Sequence, residues 1–418
     1  MENQMAYKKA KLVLIACTLF NLSIGVLYAW SVLTSSLIMP VAEGGFGWTV
    51  SQAGLPFTTA TIAFAIGLLI GGRIQDRIGP RWVVTAGGAL IGLGLILSGL
   101  VGNSVIGIML SFGVVAGLGM GFGYGCATPP ALKWFHPDRK GLISGLIVGG
   151  FGLSAIGFAP LTSTLLNHFT IERTFLFLGI GILIVSTAIA QLINNPPSNY
   201  LPEAPKSAKS TTKSVPLINY GWNQMLRTRR FYFIFVMFLL SASVGLMIIG
   251  VMTKIAETQV GITDPVILAG LVSFLALTNT LGRVAGGVMS DKIGRVNSLF
   301  VIFILQAVNM AAFVAYQNLP ALILGIIIVG FCYGTTLSVM PALCADQYGL
   351  KNFGLNYGIL FLAWGLSGIM APVVANIIYD ATNSFNIAFI ICAVLMLAMI
   401  FVTFLLKKDI DKQKATEV

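Results

Sequence analysis

Twelve long apolar runs dominate this chain. Each contains about 20 residues or more, which is the length that an α-helix needs to cross the hydrocarbon core of a bilayer. The runs occupy approximately residues 11–39, 50–72, 82–101, 104–131, 141–167, 171–193, 229–256, 265–290, 296–316, 320–344, 353–379 and 384–406. We therefore expect an all-α membrane protein with twelve transmembrane helices.

The composition supports this expectation. Of the 418 residues, 56% are hydrophobic and 9% are charged, whereas soluble domains contain about 25% charged residues. The mean hydropathy is +0.90, and these values exclude a soluble enzyme. The net charge of +11 does not indicate a nucleic-acid partner, because the Lys and Arg residues form short clusters between apolar runs, which is the pattern of membrane topology.

No pattern in the sequence indicates catalysis, a metal or a cofactor. The chain contains five Cys and two His, and they form no cluster with carboxylates and no nucleophile–base pair. The glycine-rich run at residues 117–125 resembles a dinucleotide loop, but it lacks the preceding strand and the later acidic residue. In a membrane span, small residues instead let helices approach closely. We therefore expect no cofactor, no metal and no enzymatic activity.

One long polar stretch, at residues 194–228, separates the sixth and seventh runs. We expect it to be a cytoplasmic loop between two six-helix bundles, residues 11–193 and 229–406, with cytoplasmic tails at residues 1–10 and 407–418. With the N-terminus in the cytoplasm, nearly all of the 25 Lys and Arg residues lie on the cytoplasmic side, as the positive-inside rule requires. We predict a multi-pass protein of the cell membrane, with both termini in the cytoplasm.

The two predicted halves share sequence landmarks. The segment GRIQDRIGPR at residues 72–81 follows the second run, and the similar segment GVMSDKIGR at residues 287–295 follows the eighth. The fourth run contains GFGYG at residues 121–125, and the tenth contains GFCYG at residues 330–334. These matches indicate a duplicated six-helix unit. Parallel repeats of this kind place a substrate site at their interface, near the middle of the membrane.

The repeated G-x-x-x-D-R/K-x-G-x-R/K segment resembles the loop signature of the major facilitator superfamily. The resemblance covers the whole chain and implies that the protein is a secondary transporter. It also implies that the charged residues of the signature form a network at the cytoplasmic end that opens and closes with the gate. An alternative is that the signature only anchors the topology. The implied gating residues are Asp76, Arg77, Arg81, Asp291, Lys292 and Arg295.

Three further segments resemble a narrower group within this superfamily. They are GVLYAWS at residues 25–31, KWFHPDRKG at residues 133–141 and NYG at residues 356–358. Together they are similar to the group that holds the oxalate–formate antiporter and the bacterial monocarboxylate transporters. This resemblance implies transport of small carboxylates across a lipid bilayer, and we expect the transporter to be a monomer.

Arg283 is the charged residue that does not fit the topology. It lies eight residues before Asp291, and therefore about 12 Å inside the bilayer at a rise of 1.5 Å per residue. A lipid-exposed Arg at the bilayer centre costs at least ~2.5 kcal/mol, and the predicted spans hold no acidic residue in their interior. We expect the carboxylate of the substrate to be the missing anion. Alternatively, Arg283 extends to the cytoplasmic surface or stacks on an aromatic ring.

Asn279 lies one helical turn before Arg283 and shares its face. Its amide is suited to orienting the guanidinium or to binding a substrate oxygen. Monocarboxylate carriers have an acid or an amide at this position, according to the resemblance. The oxalate–formate antiporter has a second cation, a Lys, where this chain has Trp364, and animal monocarboxylate carriers have a Lys in span one, where this chain is apolar around Val32. A single buried cation balances one carboxylate and leaves a dianion uncompensated, which favours monocarboxylates over oxalate.

Aromatic residues complete the predicted cavity. Tyr124 and Tyr333 occupy matched positions in spans four and ten, and Tyr28 lies in span one. A buried phenol needs a hydrogen-bond partner, which is either the substrate carboxylate or a neighbouring backbone carbonyl. We expect Trp364 to form an apolar wall or to serve ordinary packing.

The predicted function is transport of monocarboxylates such as lactate or pyruvate by a rocker-switch mechanism, together with one proton. Arg283 does not titrate, so the proton is carried by the substrate carboxylate or by Glu257, although Glu257 near the outer surface also fits a plain solvated charge. Two alternatives stay open. One is carboxylate exchange without protons, and the other is a sensor that binds carboxylate without moving it.

Overall fold

The computed structural model describes residues 2–197, 200, 202 and 219–416. Among these residues the regular structure is helical, and twelve helices or helical pairs are long and apolar enough to cross a membrane. This result confirms the predicted fold class. The predicted spans and the observed helices differ mainly at their ends, where several helices extend beyond the apolar run by about one to three turns.

The first six spans are built from eight helices and two irregular helical segments. In the first span, a 3₁₀ turn at Gly25–Ala29 separates α1 from α2, and in the fourth a π-helical segment at Met109–Ala116 joins α5 to α6. The helices are α1 (Glu2–Ile24), α2 (Trp30–Ile38), α3 (Val50–Ile78), α4 (Pro80–Val101), α5 (Val105–Ile108), α6 (Gly117–Trp134), α7 (Lys140–His168) and α8 (Ile171–Ala190).

The last six spans are continuous helices, and a short helix precedes them. The longest, α10, changes direction at Val251, whose backbone angles are not helical. The helices are α9 (Trp222–Leu226), α10 (Arg229–Val260), α11 (Pro265–Ile293), α12 (Arg295–Phe313), α13 (Leu319–Tyr348), α14 (Phe353–Thr382) and α15 (Asn386–Thr416).

The repeated signature forms the same tight turn twice. Gly79 lies between α3 and α4 with φ of 89°, and Gly294 lies between α11 and α12 with φ of 91°. Residues with a side chain rarely adopt these positive φ angles, whereas glycine does so without steric cost. The second glycine of each signature is therefore required by the backbone, and the chain folds alike at both copies.

The chain divides into two compact units. The first comprises Met1–Pro137, Gly150–Asn219 and Gly349–Leu362, and the second comprises Asp138–Gly149, Tyr220–Tyr348 and Ala363–Val418, as far as these ranges are described. The start of α7 thus belongs to the second unit, and the start of α14 belongs to the first. The linear boundaries predicted for the tails, the two bundles and the central loop stay a prediction.

Glycines bring the helices of the first unit together. A Cβ on Gly121 of α6 would overlap the backbone of α3 at Phe64, and a Cβ on Gly119 would lie 2.7 Å from the carbonyl oxygen of Gly87 on α4. The glycine-rich run of α6 therefore serves close helix packing.

Candidate functional site

Arg283 lies on α11 in the interior of the second unit, with 1% of its surface exposed. Its Nε donates a hydrogen bond to Oδ1 of Asn279 at 3.3 Å, and its Nη1 donates to the carbonyl oxygen of Val148 at 2.6 Å. The helical offset of four residues places the amide of Asn279 beside the guanidinium, as its spacing predicts. The side chain therefore does not extend to the aqueous surface.

Val148 belongs to the start of α7, which packs against α11 within the second unit. This approach depends on Gly145, since a Cβ there would overlap the carbonyl oxygen of Arg283 and lie 3.1 Å from its carbonyl carbon. One helical turn earlier, Gly141 and Gly287 make a similar backbone contact. The backbone of α7 thus supplies both a close packing surface and a hydrogen-bond acceptor for the buried cation.

The other side of α11 packs against α13 through the GFCYG segment. A Cβ on Gly334 would lie 2.8 Å from the backbone nitrogen of Arg283 and would also overlap the carbonyl oxygen of Asn279. The absence of a side chain at Gly334 therefore lets α13 approach the backbone of α11 at both polar residues. Tyr333, the preceding residue, directs its ring onto Gly245 of α10.

Tyr333 and Trp364 are joined by a hydrogen bond. Nε1 of Trp364 donates to the hydroxyl oxygen of Tyr333 at 2.8 Å, and both side chains are buried in the second unit. The indole is therefore oriented by a polar contact as well as by packing. Whether either side chain contacts a substrate stays a prediction.

Of the other two predicted tyrosines, the structure describes the side chain of Tyr124 but not that of Tyr28. Tyr124 is buried in the first unit and packs among aromatic rings, with centroid distances of 5.4 Å to Phe64, 5.1 Å to Phe151 and 5.5 Å to Phe361. The side chain of Tyr28 lies outside the described part of the chain. The role predicted for Tyr28 stays a prediction.

The aspartates of the two signature copies bind the N-termini of helices. In the second unit, the Asp291 carboxylate accepts hydrogen bonds from the backbone nitrogens of Gly141 and Leu142, at 2.8 and 2.7 Å, at the start of α7. Anions are favoured there because the first N–H groups of a helix lack intrahelical partners and the helix dipole is positive. The sequence alone predicted a charged network at this end but not these backbone partners.

The first unit has the same arrangement. The Asp76 carboxylate accepts hydrogen bonds from the backbone nitrogens of Gly354 and Leu355, at 3.1 and 3.0 Å, at the start of α14. Gly72, the first glycine of the signature, packs against Gly354 so closely that a Cβ on either would overlap the backbone of the other. Each signature copy thus holds one helix start by an aspartate and a glycine contact.

Salt bridges extend the second copy of this arrangement. Arg295 binds Asp291 one turn earlier on the chain, and its Nε lies 3.1 Å from Oδ2 of Asp346 at the end of α13. Lys140 reaches Oδ1 of the same carboxylate at 2.7 Å. Sequence reasoning missed Lys140 and Asp346, because each lies far along the chain from the signature.

The remaining predicted residues lie nearer the aqueous surface. Arg81 is exposed, and its Nε donates to Oε1 of Gln191 at 2.8 Å. Arg77, Lys292 and Glu257 are exposed. In the described residues, no group of three or more His, Cys, Asp or Glu is arranged to hold a metal ion.

Comparisons with known proteins agree with this architecture. The sequence model of the Major Facilitator Superfamily matches residues 19–314 and 276–417, which together cover most of the chain. The chain belongs to the major facilitator superfamily. It is therefore a multi-pass membrane protein of a transporter family.

Individual relatives indicate a narrower group within the superfamily. Over 359 residues the chain is 32% identical to the uncharacterized MFS-type transporter YhjX of Escherichia coli, with 86% of this chain and 85% of that protein covered. It is 29% identical over 377 residues to the oxalate:formate antiporter of Oxalobacter formigenes, with 88% and 84% covered. Other relatives are named as monocarboxylate transporters. The predicted resemblance to the oxalate–formate and monocarboxylate group is thus confirmed.

Solved structures share the fold. The human organic anion transporter MFSD10 superposes with a TM-score of 0.71 at 16% sequence identity, covering 95% of this chain and 99% of that one. This similarity shows that the major facilitator architecture is common to both chains.

Proposed function

We propose that this transporter carries small monocarboxylates, of the lactate or pyruvate type, and that Arg283 binds the carboxylate group. The observation that carries the proposal is a fully buried guanidinium whose Nε and Nη1 are bound by neutral oxygens, of Asn279 and Val148. A planar carboxylate can accept two parallel hydrogen bonds from the guanidinium and balance it.

The relatives support this substrate class. An antiporter named for oxalate and formate and carriers named for monocarboxylates align with most of this chain. Trp364 stands where the resemblance to the oxalate–formate antiporter expects a Lys, and its indole is bound to Tyr333. In the proposed site the guanidinium of Arg283 balances one negative charge, and a second carboxylate on the substrate would need another cation. A monocarboxylate fits this charge balance.

We further propose that substrate binding is linked to movement of α7. Nη1 of Arg283 donates to the Val148 carbonyl, and α7 begins in the second unit but continues in the first. A carboxylate that takes this donor would replace a neutral acceptor by a charged one, and α7 would lose a contact to α11. Differential binding of this kind is what a ligand needs in order to shift a conformational equilibrium.

The signature aspartates serve as the gate in this proposal. Asp76 and Asp291 each hold a helix start through two backbone N–H groups. These contacts break when the helix start moves away and form again on its return, whereas the covalent turns at Gly79 and Gly294 are unaffected. We expect this end to face the cytoplasm, in a cell membrane with both chain termini inside.

Net transport in this proposal is electroneutral, with one proton per monocarboxylate. Because guanidinium stays protonated, the substrate carboxylate is the proposed proton carrier. Glu257 is exposed at the end of α10 and is the weaker alternative. Exchange of one carboxylate for another is the second candidate function, and the 29% identity to an oxalate:formate antiporter favours it.

Transport by the purified protein in proteoliposomes tests these proposals. Labelled lactate, pyruvate, formate and oxalate are supplied with and without an inward proton gradient. Monocarboxylate uptake that the gradient accelerates supports symport, and counterflow without net uptake identifies exchange. Arg283→Gln is expected to abolish flux, whereas Arg173→Gln, which removes an exposed Arg of α8, should leave it intact. Full flux in Arg283→Gln would refute the binding site.

A further inference from the structure

A groove lies on the surface of the second unit, between the start of α12 and the end of α15. Its volume is about 700 Å³. The groove is outside the region of Arg283, so it has no part in the proposed carboxylate site. It lies at the end of the helices that the charge distribution predicts to be cytoplasmic.

The wall of this groove is apolar and exposed. Phe300 of α12 and Phe404 of α15 line it, with exposed fractions of 39% and 60%. Further along the same two helices, Val308 and Leu397 are also exposed. In a membrane-spanning chain such a surface contacts lipid tails, so the groove opens onto the hydrocarbon region.

The end of the groove is basic. Lys407, Lys408 and Lys412 line it together with a single acidic residue, Asp411. Lys407 is held at the edge by Asn297 of α12, because its Nζ donates to the amide oxygen Oδ1 at 3.2 Å. The groove thus combines a cluster of net charge +2 with an apolar wall that continues into the lipid-facing surface.

We propose that this groove binds an anionic phospholipid. An acyl chain lies along Phe300 and Phe404, and the phosphate lies among the lysines at the end of α15. Basic pockets between transmembrane helices at the cytoplasmic side suit anionic headgroups, whereas an inorganic phosphate would leave the apolar wall exposed. The lysines select for negative charge, and the apolar wall selects for a lipid.

Native mass spectrometry of the full chain in a neutral detergent tests this proposal. The protein is titrated with phosphatidylglycerol or with phosphatidylcholine of the same acyl chains, and the bound lipid is counted. We expect the wild type to retain phosphatidylglycerol preferentially. In the variant Lys407→Gln/Lys408→Gln/Lys412→Gln this preference should fall at least about fivefold.

A control variant removes the same charge elsewhere. Lys8→Gln/Lys9→Gln/Lys11→Gln deletes three exposed lysines of α1 at the same predicted membrane surface. This variant should keep the preference for phosphatidylglycerol, because its three lysines are not among the residues that line the groove. Equal losses in the two triple variants, or equal retention of both lipids by the wild type, would overturn the proposal.

Two further measurements separate a lipid from free phosphate. Phe404→Ser keeps the lysines and should weaken retention of phosphatidylglycerol, and millimolar inorganic phosphate should not displace the lipid. Displacement by phosphate, with no effect of Phe404→Ser, would show an anion site instead. None of these readouts requires transport, so the result is independent of the substrate.

Discussion

Replacing Gly145 by Ala should open the contact between α7 and α11. A Cβ at this position would overlap the carbonyl oxygen of Arg283 and lie 3.1 Å from its carbonyl carbon. Because a carbon atom and a carbonyl oxygen in contact lie about 3.3–3.6 Å apart, the two helices would have to separate by roughly 1 Å to relieve the overlap with the oxygen. The hydrogen bond from Arg283 to the Val148 carbonyl would then lengthen from 2.6 Å to about 3.6 Å, beyond hydrogen-bonding range.

The energetic effect follows from that bond. A hydrogen bond to a charged group contributes about 1.5–3 kcal/mol, which corresponds to about 10- to 150-fold in an equilibrium constant. The conformation described here should lose population by this factor relative to one in which α7 has moved away from α11. The steric overlap adds to the loss.

Gly149→Ala is the matched control. Gly149 lies one turn further along α7, and a Cβ there would lie 3.4 Å from a methyl group of Val284, which is an ordinary contact. Both substitutions gain about 1 kcal/mol of intrinsic helix propensity, so propensity cancels in the comparison. Only the contact with α11 differs.

Alkylation of an introduced cysteine measures the outcome. Ser144 is fully buried at the start of α7, and the five native cysteines are buried as well, so Ser144→Cys is a nearly isosteric probe with low background. We expect alkylation about tenfold faster or more in the Gly145→Ala background, and unchanged in the Gly149→Ala background. Equal rates in the two backgrounds would refute the claim that α7 is held at Arg283.

Three further predictions concern neighbouring contacts. Asp291→Asn should lower the stability of the capped start of α7 by more than about 1 kcal/mol, because it weakens the ion pair with Arg295 as well as the cap; faster alkylation of Ser144→Cys would report it. Trp364→Phe and Tyr333→Phe should each cost about 1 kcal/mol in thermal unfolding, with the double variant little worse than either single one, since both remove the same bond. Asn279→Ala should raise the KM for the carboxylate about tenfold with little change in folding, because the guanidinium loses its orienting oxygen; an unchanged KM would argue against that role.

Much of the fold follows from the sequence because bilayers impose a simple length rule. The apolar runs predicted twelve spans, and the described chain has twelve helices or helical pairs of that length. The repeated signature predicted two alike segments, and the turns at Gly79 and Gly294 have nearly equal φ angles. The 3₁₀ turn at Gly25–Ala29 and the π-helical segment at Met109–Ala116 were not predicted, since apolar composition does not distinguish among helix types.

The candidate site was only partly accessible from sequence. Arg283 and Asn279 were found because they are polar residues on one face of an apolar helix. The Val148 carbonyl was missed because a backbone acceptor has no sequence signal of its own. The Gly-Leu pair at residues 141–142, whose backbone nitrogens donate to Asp291, recurs at residues 354–355. Extending the repeat comparison to these pairs would have located both helix starts.

The two signature copies are not equivalent, although their backbones match. Shifting Asp346 by the 209 residues between Tyr333 and Tyr124 gives position 137, which is Pro137, and shifting Lys140 by the 213 residues between Gly141 and Gly354 gives position 353, which is Phe353. Neither can form an ion pair. The second copy therefore adds the Lys140–Asp346–Arg295 salt bridges to its helix cap.

The proposed gate therefore differs between the two units. In the second unit Asp291 both caps α7 and pairs with Arg295, which also pairs with Asp346. In the first unit Lys133 exerts an electrostatic attraction on Asp76. Removing the carboxylate of Asp291 leaves the partly buried Arg295 with one of its two ion pairs, so the loss of stability exceeds that of the helix cap alone. The start of α7, which also carries the Val148 carbonyl bound by Arg283, is thus held by the helix cap, by the ion pairs of the second copy and by this hydrogen bond.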